Sequence, residues 1–506
     1  MEMIRMQEHD VIIIGSGLAG LTAGAKLAKE GKKVLLIEQH NKVGGCATVF
    51  HRKIQGKRTG FEVGLHEMDG LDNAFDPKNR IFEELDVNAE VEFIRVPEFF
   101  RIKNDRIDLT IPHDIPEAKK VLSNAFPNEQ KAVETFFMDI KQTFGYLVEG
   151  NLEKLAPISQ MSIGEYLDTI TDDEDLKFVL TGNLGYYHDD PYSLSLIFFS
   201  AAQNSYLTGG GHFIKGGSQS LSDHLANVIS KNGGTIILDH LVTEIVTENE
   251  SAIGVKYRRM KQKEEEKYEE FSSYAQVVLA NAALPNVVND LVPQLQNTEY
   301  QETVNSLQLA CSILSLYLAF SQPTSSLGHK AYSTFVFSEE LTRLKDFYPQ
   351  EKTNDYTKKG FTFVDYSNIN SQINDEGIYT GVICTIDYLD HWAQLNEIDY
   401  KNKKDEVAQI LIERLETLIP GIKNIIIYSE LATPKTMIRY TLNPEGTVYG
   451  FAQIPNQVGP KKYNIRKPPI ENLYCASAWT GSGGFSGAIM AGYSCALKIL
   501  KDCWKE

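Results

Sequence analysis

Three glycines spaced as Gly15-x-Gly17-x-x-Gly20 stand between the apolar run Val11–Ile14 and a stretch with apolar residues at helical spacing, Leu21–Glu30. Alone such a motif is weak, because glycines punctuate many turns; between a strand and a helix it is a dinucleotide fingerprint. Gly15 permits the tight turn, Gly17 lets backbone approach a pyrophosphate, and Gly20 lets helix and strand pack closely. Leu18 and Ala19 lie between the last two glycines, and the positive N-terminus of the helix that follows would carry the diphosphate. Glu38 closes the following strand, near the ~20-residue spacing expected after the last glycine. A carboxylate there accepts hydrogen bonds from a ribose diol and repels a 2′-phosphate. The chain has no H-E-x-x-H, no serine elbow and no P-loop, which leaves metalloprotease, hydrolase and kinase chemistry without support.

These groups need a parallel sheet to hold them. Val11–Ile14 and Val34–Ile37 read as strands buried on both faces, with Gly31 ending the helix between them. A second signal of this kind starts at Lys215–Ser220 and continues into an amphipathic helix bearing Leu221, Leu225, Val228 and Ile229. Lys231–Gly234 then turns into strands at Thr235–Leu238 and Leu241–Val246, and Tyr274–Ala280 resumes as a strand. Near the end, Asn472–Ala476 reads as a strand before Gly481–Gly484 and a small-residue helix running to Leu500. The intervening stretches are mixed. Asn128–Leu147, Ser162–Leu180 and Lys401–Leu418 look helical, and Ser306–Gln322 reads as one or two core strands, too polar for a membrane span. The charge-mixed block Lys256–Glu270 reads as a solvated hairpin arm. The expectation is an α/β fold with a discontinuous Rossmann-like domain from residues 1–72, 208–292 and 465–506. Two insertions, 73–207 and 293–464, would form a mixed α+β substrate domain with a helical part.

Composition narrows the partners. The chain has 506 residues, long enough for a large core without disulfides or structural metals. Its formal charge of −17 argues against broad nucleic-acid binding and against a general electrostatic mode of reaching membranes. The six cysteines (46, 311, 384, 475, 495 and 503) include no C-x-x-C pair and no zinc spacing. Reduced thiols in a cytoplasmic protein, with no metal site, are expected; nothing in the pattern sets an oligomeric state.

Beyond Glu38 a paired glycine, Gly44-Gly45, followed by Cys46-Ala47, extends the pattern toward FAD-binding proteins and away from simple NAD dehydrogenases. Gly15–Gly45 resembles the FAD fingerprint of the flavin amine oxidase superfamily, and further stretches resemble its phytoene desaturase branch, with carotenoid isomerases and retinol saturases. Phe61–His66 is similar to the "F-D-x-G-x-H" segment beside the flavin ring in the retinol-saturase subgroup. Gly209–Gly217 resembles the "G-x-x-x-P-x-G-G" turn, with Ile214 in place of the usual proline. Thr433-Pro434, Arg439-Tyr440 and Gly446–Gly450 resemble the late "T-P…R-Y…G…Y-G" segment, and Ser477–Gly487 the closing flavin-binding turn. Many relatives carry an Asp in that turn for the ribityl chain; here Ala478-Trp479 occupies the region.

The resemblance implies FAD as cofactor on a glutathione-reductase-like domain. By position it implies flavin contacts at Gly64 and Leu65, adenine contact by Val242 backbone, and a ring pocket near Trp479, Gly484, Phe485 and Ser486. It also places His66, Glu67 and Asp69 beside the isoalloxazine. Adding or removing hydrogen across a C–C bond needs a hydride path to the flavin and a proton path elsewhere, for which His66 and Glu67 are the candidates; alternatively the reduced flavin stabilises a cation-like polyene, no side chain transfers a proton, and His66 and Glu67 serve packing or hydrogen bonding. His212 is expected to be structural; Tyr186, Tyr187, Phe198 and Phe199 would suit the lining of an apolar tunnel, although such clusters are more often plain core. The activity implied is desaturation, saturation or isomerisation of an apolar polyene or isoprenoid, reached by transient peripheral contact with a membrane. Alternatives are an amine- or porphyrinogen-type oxidase and a flavin-free binding protein like the Rab GDP-dissociation inhibitors.

Overall fold

The computed structural model describes residues 8–260, 269–374, 377–458 and 465–504. His9–Ile14 pairs in parallel with Val34–Ile37 on one side and with the second half of Glu270–Ala280 on the other. Thr235–Ile237 adds outside Val34–Ile37, and Leu473–Cys475 adds against Val278–Ala280. Strand alternation divides this sheet between two cores. Val11, Ile13, Leu36 and Leu279 face helices Leu18–Lys29, Gln219–Lys231 and Gly484–Cys503, whereas Ile12, Ile14, Leu35 and Val278 face a second layer with Ile245 and Val255. That second layer is the antiparallel meander His240–Glu248, Ser251–Arg259 and the first half of Glu270–Ala280. One long strand thus serves both layers.

The other seven-stranded sheet runs Ile426–Ala432, Ser312–Phe320, Tyr379–Asp387, Phe361–Asp365, Ser333–Val336, Phe100–Lys103, Asp108–Ile111. Its pairings are antiparallel except that of Ser333–Val336 with Phe100–Lys103. Helix Glu397–Leu418 covers it through Val407, Leu411 and Leu415. A helical group, including Gln130–Glu149 and Leu196–Gly209, shares a further core with Phe335 and Phe337. The whole is an α/β fold: a Rossmann-like parallel sheet beside a mixed α+β region.

Two expectations need refining. Ser162–Leu180 is two helices, Ile163–Ile170 and Glu174–Leu180. Thr171 leaves the first in extended conformation and Asp173 caps the second through Leu176 N–H, while the apolar pattern runs on through both. Ser306–Gln322 holds one strand, Ser312–Phe320, paired on both sides. In the Lys256–Glu270 block the flanking strands do pair, but residues 261–268 lie outside the described residues. All six cysteines are free thiols, and no helix among the described residues is long and apolar enough to cross a membrane.

Candidate functional site

The glycine turn is built against Asn281, which follows the strand Glu270–Ala280 and donates its side-chain N–H to Gly15 O (3.0 Å). Gly15 has φ +88°, and a Cβ there would stand 2.5 Å from the Asn281 carbonyl oxygen; one on Gly20 would strike Gly15 O. Sequence reasoning missed Asn281 because its partner lies 266 residues away. Gly44 N–H donates to Ser16 O (2.9 Å), and a Cβ on Gly45 would come within 3.2 Å of Gly17 Cα, so the paired glycines lie on the first motif. Cys46 and Ala47 continue this contact: Cys46 O crowds Gly64, and Ala47 O accepts from Ser222 Oγ (2.7 Å). Burial pushes the Cys46 thiol up, away from thiolate.

Helix Leu18–Lys29 begins at Gly17 with no side-chain cap and no acid in its first turn. Its free N–H groups and positive end remain available to an anion. Leu18 and Ala19 are buried, Ala19 beneath Gly492 of the final helix. Glu38 is buried at the strand end. Its Oε2 accepts from Ser16 N–H and Oγ–H (2.7 Å each) and its Oε1 from His40 N–H (2.8 Å). A carboxylate offers about four acceptor sites, so one stays free on a side chain already aimed. Val242 is buried in the meander, beside a register shift between Val242 and Glu244, where the ladder locally breaks.

The segment Val63–His66 is clamped from both sides. Gly64 and Leu65 N–H donate to Glu62 Oε1 (3.2 and 3.1 Å), and the same carboxylate takes Ser218 N–H and Oγ–H (2.7 Å each). The carbonyls of Val63, Leu65 and His66 accept from the hydroxyls of Tyr317 (3.3 Å), Tyr366 (2.9 Å) and Tyr332, all carried by the second sheet or its edges. Glu62 was within reach of sequence reasoning, since it belongs to the quoted Phe61–His66 motif. No spacing signal marks the three tyrosines.

The three titratable residues of the next stretch have been driven apart. His66 lies between Tyr186 Oη (3.2 Å from Nδ1) and Cys384 Sγ (3.4 Å from Nε2), and burial pulls its pKa down to about 4. At neutral pH the imidazole is uncharged. Neither oxygen of Glu67 has a hydrogen-bond partner. Burial, reinforced by Glu98 and Asp69, raises this acid well above the usual range, favouring its protonated form. Its Oε2 occupies the space that a Cβ on Gly211 would fill. Asp69 is half-buried, and Lys78 and the hydroxyls of Ser205 and Ser486 hold its carboxyl below the usual range. Two carboxyls two residues apart are thus pushed in opposite directions, one toward the acid and one toward the anion. His212 pairs with Asp72 (3.0 Å) on a strand bonded to Met68–Asp69, a structural position.

These residues border a cavity of about 1330 Å³ whose lining is chiefly apolar and aromatic. Gly64, His66, Glu67 and Asp69 line it together with Tyr186, Tyr187 and Phe198 and with Gly481–Gly487 and Tyr449. Phe199 is fully buried in the core, packed on Phe136 and Tyr187. Trp479 stands behind the cavity wall, edge-on to Phe451 (5.0 Å) with its indole N–H on Asn443 (3.2 Å). Gly484 opens the final helix without a side-chain cap, and a Cβ on it would meet nothing within 4 Å. Phe485 lines the cavity and Ser486 Oγ donates to Asp69 (2.5 Å). Two uncapped helix N-termini, an aimed carboxylate, an open glycine edge and an unpartnered buried acid fit a flavin dinucleotide.

Such a sheet, glycine cradle and buried cavity define a flavin-dependent oxidoreductase. The chain belongs to the flavin containing amine oxidoreductase family, whose profile matches residues 18–500. It is similar to all-trans-retinol 13,14-reductase of Danio rerio, 26% identical over 543 residues, covering 98% of this chain and 86% of that one. It is similar also to the chloroplastic prolycopene isomerase of Daucus carota, 26% identical over 548 residues, covering 99% and 82%. Among solved structures, wild-type putrescine oxidase bound to putrescine superposes with a TM-score of 0.66 at 14% identity, covering 98% of this chain and 100% of that one. Cyclohexylamine oxidase from Brevibacterium oxydans gives 0.62 at 14% identity, covering 98% and 100%. At these identities the structural likeness is one of fold.

Proposed function

We propose that the flavin is FAD and that the protein desaturates, saturates or isomerises C–C double bonds of an apolar polyene or isoprenoid, of the carotenoid or retinoid kind. The observation that carries this reading is the large, chiefly apolar cavity lined by the unpartnered buried acid Glu67, by His66 and by the Gly483–Gly484 turn. The two polyene-named relatives, each matched over nearly the whole chain, support the same substrate class.

In this reading Gly15, Gly17, Leu18, Ala19 and Gly20 hold the diphosphate, Glu38 holds the ribose, and Gly44–Ala47 support the turn. Val242 backbone serves the adenine. Gly64, Leu65, Gly484, Phe485 and Ser486 border the ring, with Trp479 buttressing their turn. Residues 8–72, 208–292 and 465–504 form the FAD domain, and the remainder forms the substrate domain. When bound, FAD supplies the hydride exchange. In saturation Glu67 would give its proton to the other carbon, and in desaturation its carboxylate would take one from it. His66, uncharged at neutral pH, positions Tyr186 and keeps a cation out of the apolar cavity. Asp69 holds the final helix through Ser486 and is neutralised by Lys78.

An amine-oxidase reading draws on the family profile and on fold likeness, but Asp69 is already paired with the Lys78 ammonium group. Incubation of the holoprotein with a panel of polyenes and of amines, read by mass spectrometry and peroxide release, separates the two. Peroxide formed with amines, together with unaltered polyenes, overturns the proposal.

A further inference from the structure

Among the described residues that line the cavity, two side chains hold buried oxygen atoms without a hydrogen-bond partner: Glu67, used above, and Glu351. Glu351 ends the helix Phe347–Glu351 and is 1% exposed. Its Oε1 accepts from the N–H of Gly360 (2.7 Å), the residue before the strand Phe361–Asp365, and a Cβ on Gly360 would stand 3.2 Å from that oxygen. Backbone thus fixes one half of the carboxyl and leaves Oε2 over. Burial pushes this acid up to about 7, against the pull of Lys359 and Arg414 and with a push from Asp189. Both cations are engaged elsewhere. The fully buried Lys359 ammonium donates to the carbonyls of Glu351 and Ile386 and lies 3.7 Å from Asp387, while Arg414 donates to the carbonyls of Tyr356 and Lys359. One strand, Tyr379–Asp387, ties this corner to the residues beside Glu67: Cys384 Sγ meets His66 Nε2 (3.4 Å), and the next residue, Thr385, donates its hydroxyl to Gly360 O (2.6 Å). An unpaired buried acceptor costs free energy. On the lining of an apolar cavity, such a group is placed to orient a ligand.

We propose that Glu351 is a specificity-determining residue, which anchors through Oε2 a hydroxyl at one end of an otherwise apolar substrate. The proposal rests on the apolar-substrate reading of the same cavity, though its test does not require turnover. The chemistry of the carboxyl selects the end group. A hydroxyl donates to a carboxylate and accepts from a carboxylic acid, so it serves Glu351 in either charge state. A carbonyl only accepts and needs the acid; an ammonium only donates and needs the anion. A carboxylate end group would meet the ionised form as a like charge. Held by one end, a chain presents the same double bond to Glu67 at each binding, whereas a hydrocarbon without an end group is free to slide along the cavity.

The test is titration of the full-length holoprotein at neutral pH with four ligands that share one apolar chain: farnesol, its methyl ether, farnesylamine and the hydrocarbon farnesene. Binding is followed by the flavin spectrum and by equilibrium dialysis. The parent protein should bind farnesol about tenfold more tightly than the methyl ether, which has no proton to donate. Glu351→Met, once its thermal melt and flavin content are checked, should weaken farnesol by about tenfold and leave farnesene within about twofold. Glu351→Gln keeps a donor and an acceptor and should hold farnesol within about threefold of the parent. If the Met variant does not fold, the comparison of farnesol with its ether on the parent decides. Four results overturn the proposal: farnesol and its ether binding the parent alike; farnesol binding unaltered in Glu351→Met; farnesene lost in step with farnesol, which makes Glu351 a structural support; or farnesylamine binding the parent more tightly than farnesol, which gives the site to a cation. Any of these leaves the apolar-substrate reading standing so long as farnesene binds the parent. No binding of any of the four ligands overturns that reading and the anchor together, and farnesol held as expected while no polyene is converted removes the reaction and leaves the anchor.

Discussion

Replacing Glu67 with glutamine removes a titratable group while nearly preserving shape, and its consequences follow from the absence of partners around the carboxyl. In the unfolded chain this acid ionises around the ordinary glutamate value of about 4.3. In the folded protein burial and two neighbouring carboxyls hold it well above that. A group with a raised folded pKa stabilises the fold below its unfolded pKa, and that contribution is lost as pH rises toward the folded value. The loss amounts to about 1.36 kcal/mol per pH unit for as long as the folded carboxyl stays protonated. Glutamine carries no such cost. The stability of Glu67→Gln relative to the parent should therefore climb with that slope above pH ~4.3. Guanidinium unfolding of both proteins at several pH values, with equal m-values, measures it. Turnover should move the other way, falling by about 10²–10⁴ because the amide cannot donate the proton. A stability difference that does not change with pH, or that favours the parent as pH rises, would refute the reasoning: Glu67 would then be ionised and partnered.

Glu38→Ala should weaken FAD by about 1.5–3 kcal/mol, roughly 10- to 150-fold in Kd, seen by titrating the apoprotein; unchanged affinity would mean the ribose contact is misassigned. Gly211→Ala places a Cβ against Glu67 Oε2 and should cost about 1–3 kcal/mol, most of it recovered when Glu67→Ala is added. Additive costs in that double-mutant cycle would show that the two do not touch. His66 titrates near pH 4, so the pH profile of kcat should lack any His66 limb near the free histidine value of about 6.5. A limb there that vanishes in His66→Gln would make the imidazole a proton carrier.

The sequence made the parallel sheet legible because its strands are short, wholly apolar and bounded by glycine turns, so that periodicity and punctuation agree at Val11–Ile14 and Val34–Ile37. The same rules merged the helices Ile163–Ile170 and Glu174–Leu180, since one apolar stripe runs through both and the break rests on the cap at Asp173. Gly15–Gly20 and Glu38 were legible because each acts on backbone or ligand within a local unit. Asn281, Tyr317, Tyr332 and Tyr366 were not, because their hydroxyls and amides meet residues hundreds of positions away. Phe198 and Phe199 show a related limit: neighbours on one helix differ by about 100° in direction, and only packing tells which lines a cavity and which enters the core. The contrast between Glu67 and Asp69 is likewise invisible in the string, since it depends on Lys78, Ser205 and Ser486 reaching one carboxyl and not the other.

The most direct measurement mixes the anaerobic, chemically reduced holoprotein, and separately the oxidised one, with a defined polyene, and follows the flavin spectrum together with the mass of the polyene. The expected result is a bound FAD spectrum and a polyene that gains two hydrogens, loses two, or changes double-bond geometry at constant mass. That change should be lost in Glu67→Gln while FAD remains bound. A protein that binds no flavin, or one whose flavin is intact while every polyene emerges unaltered, contradicts the account.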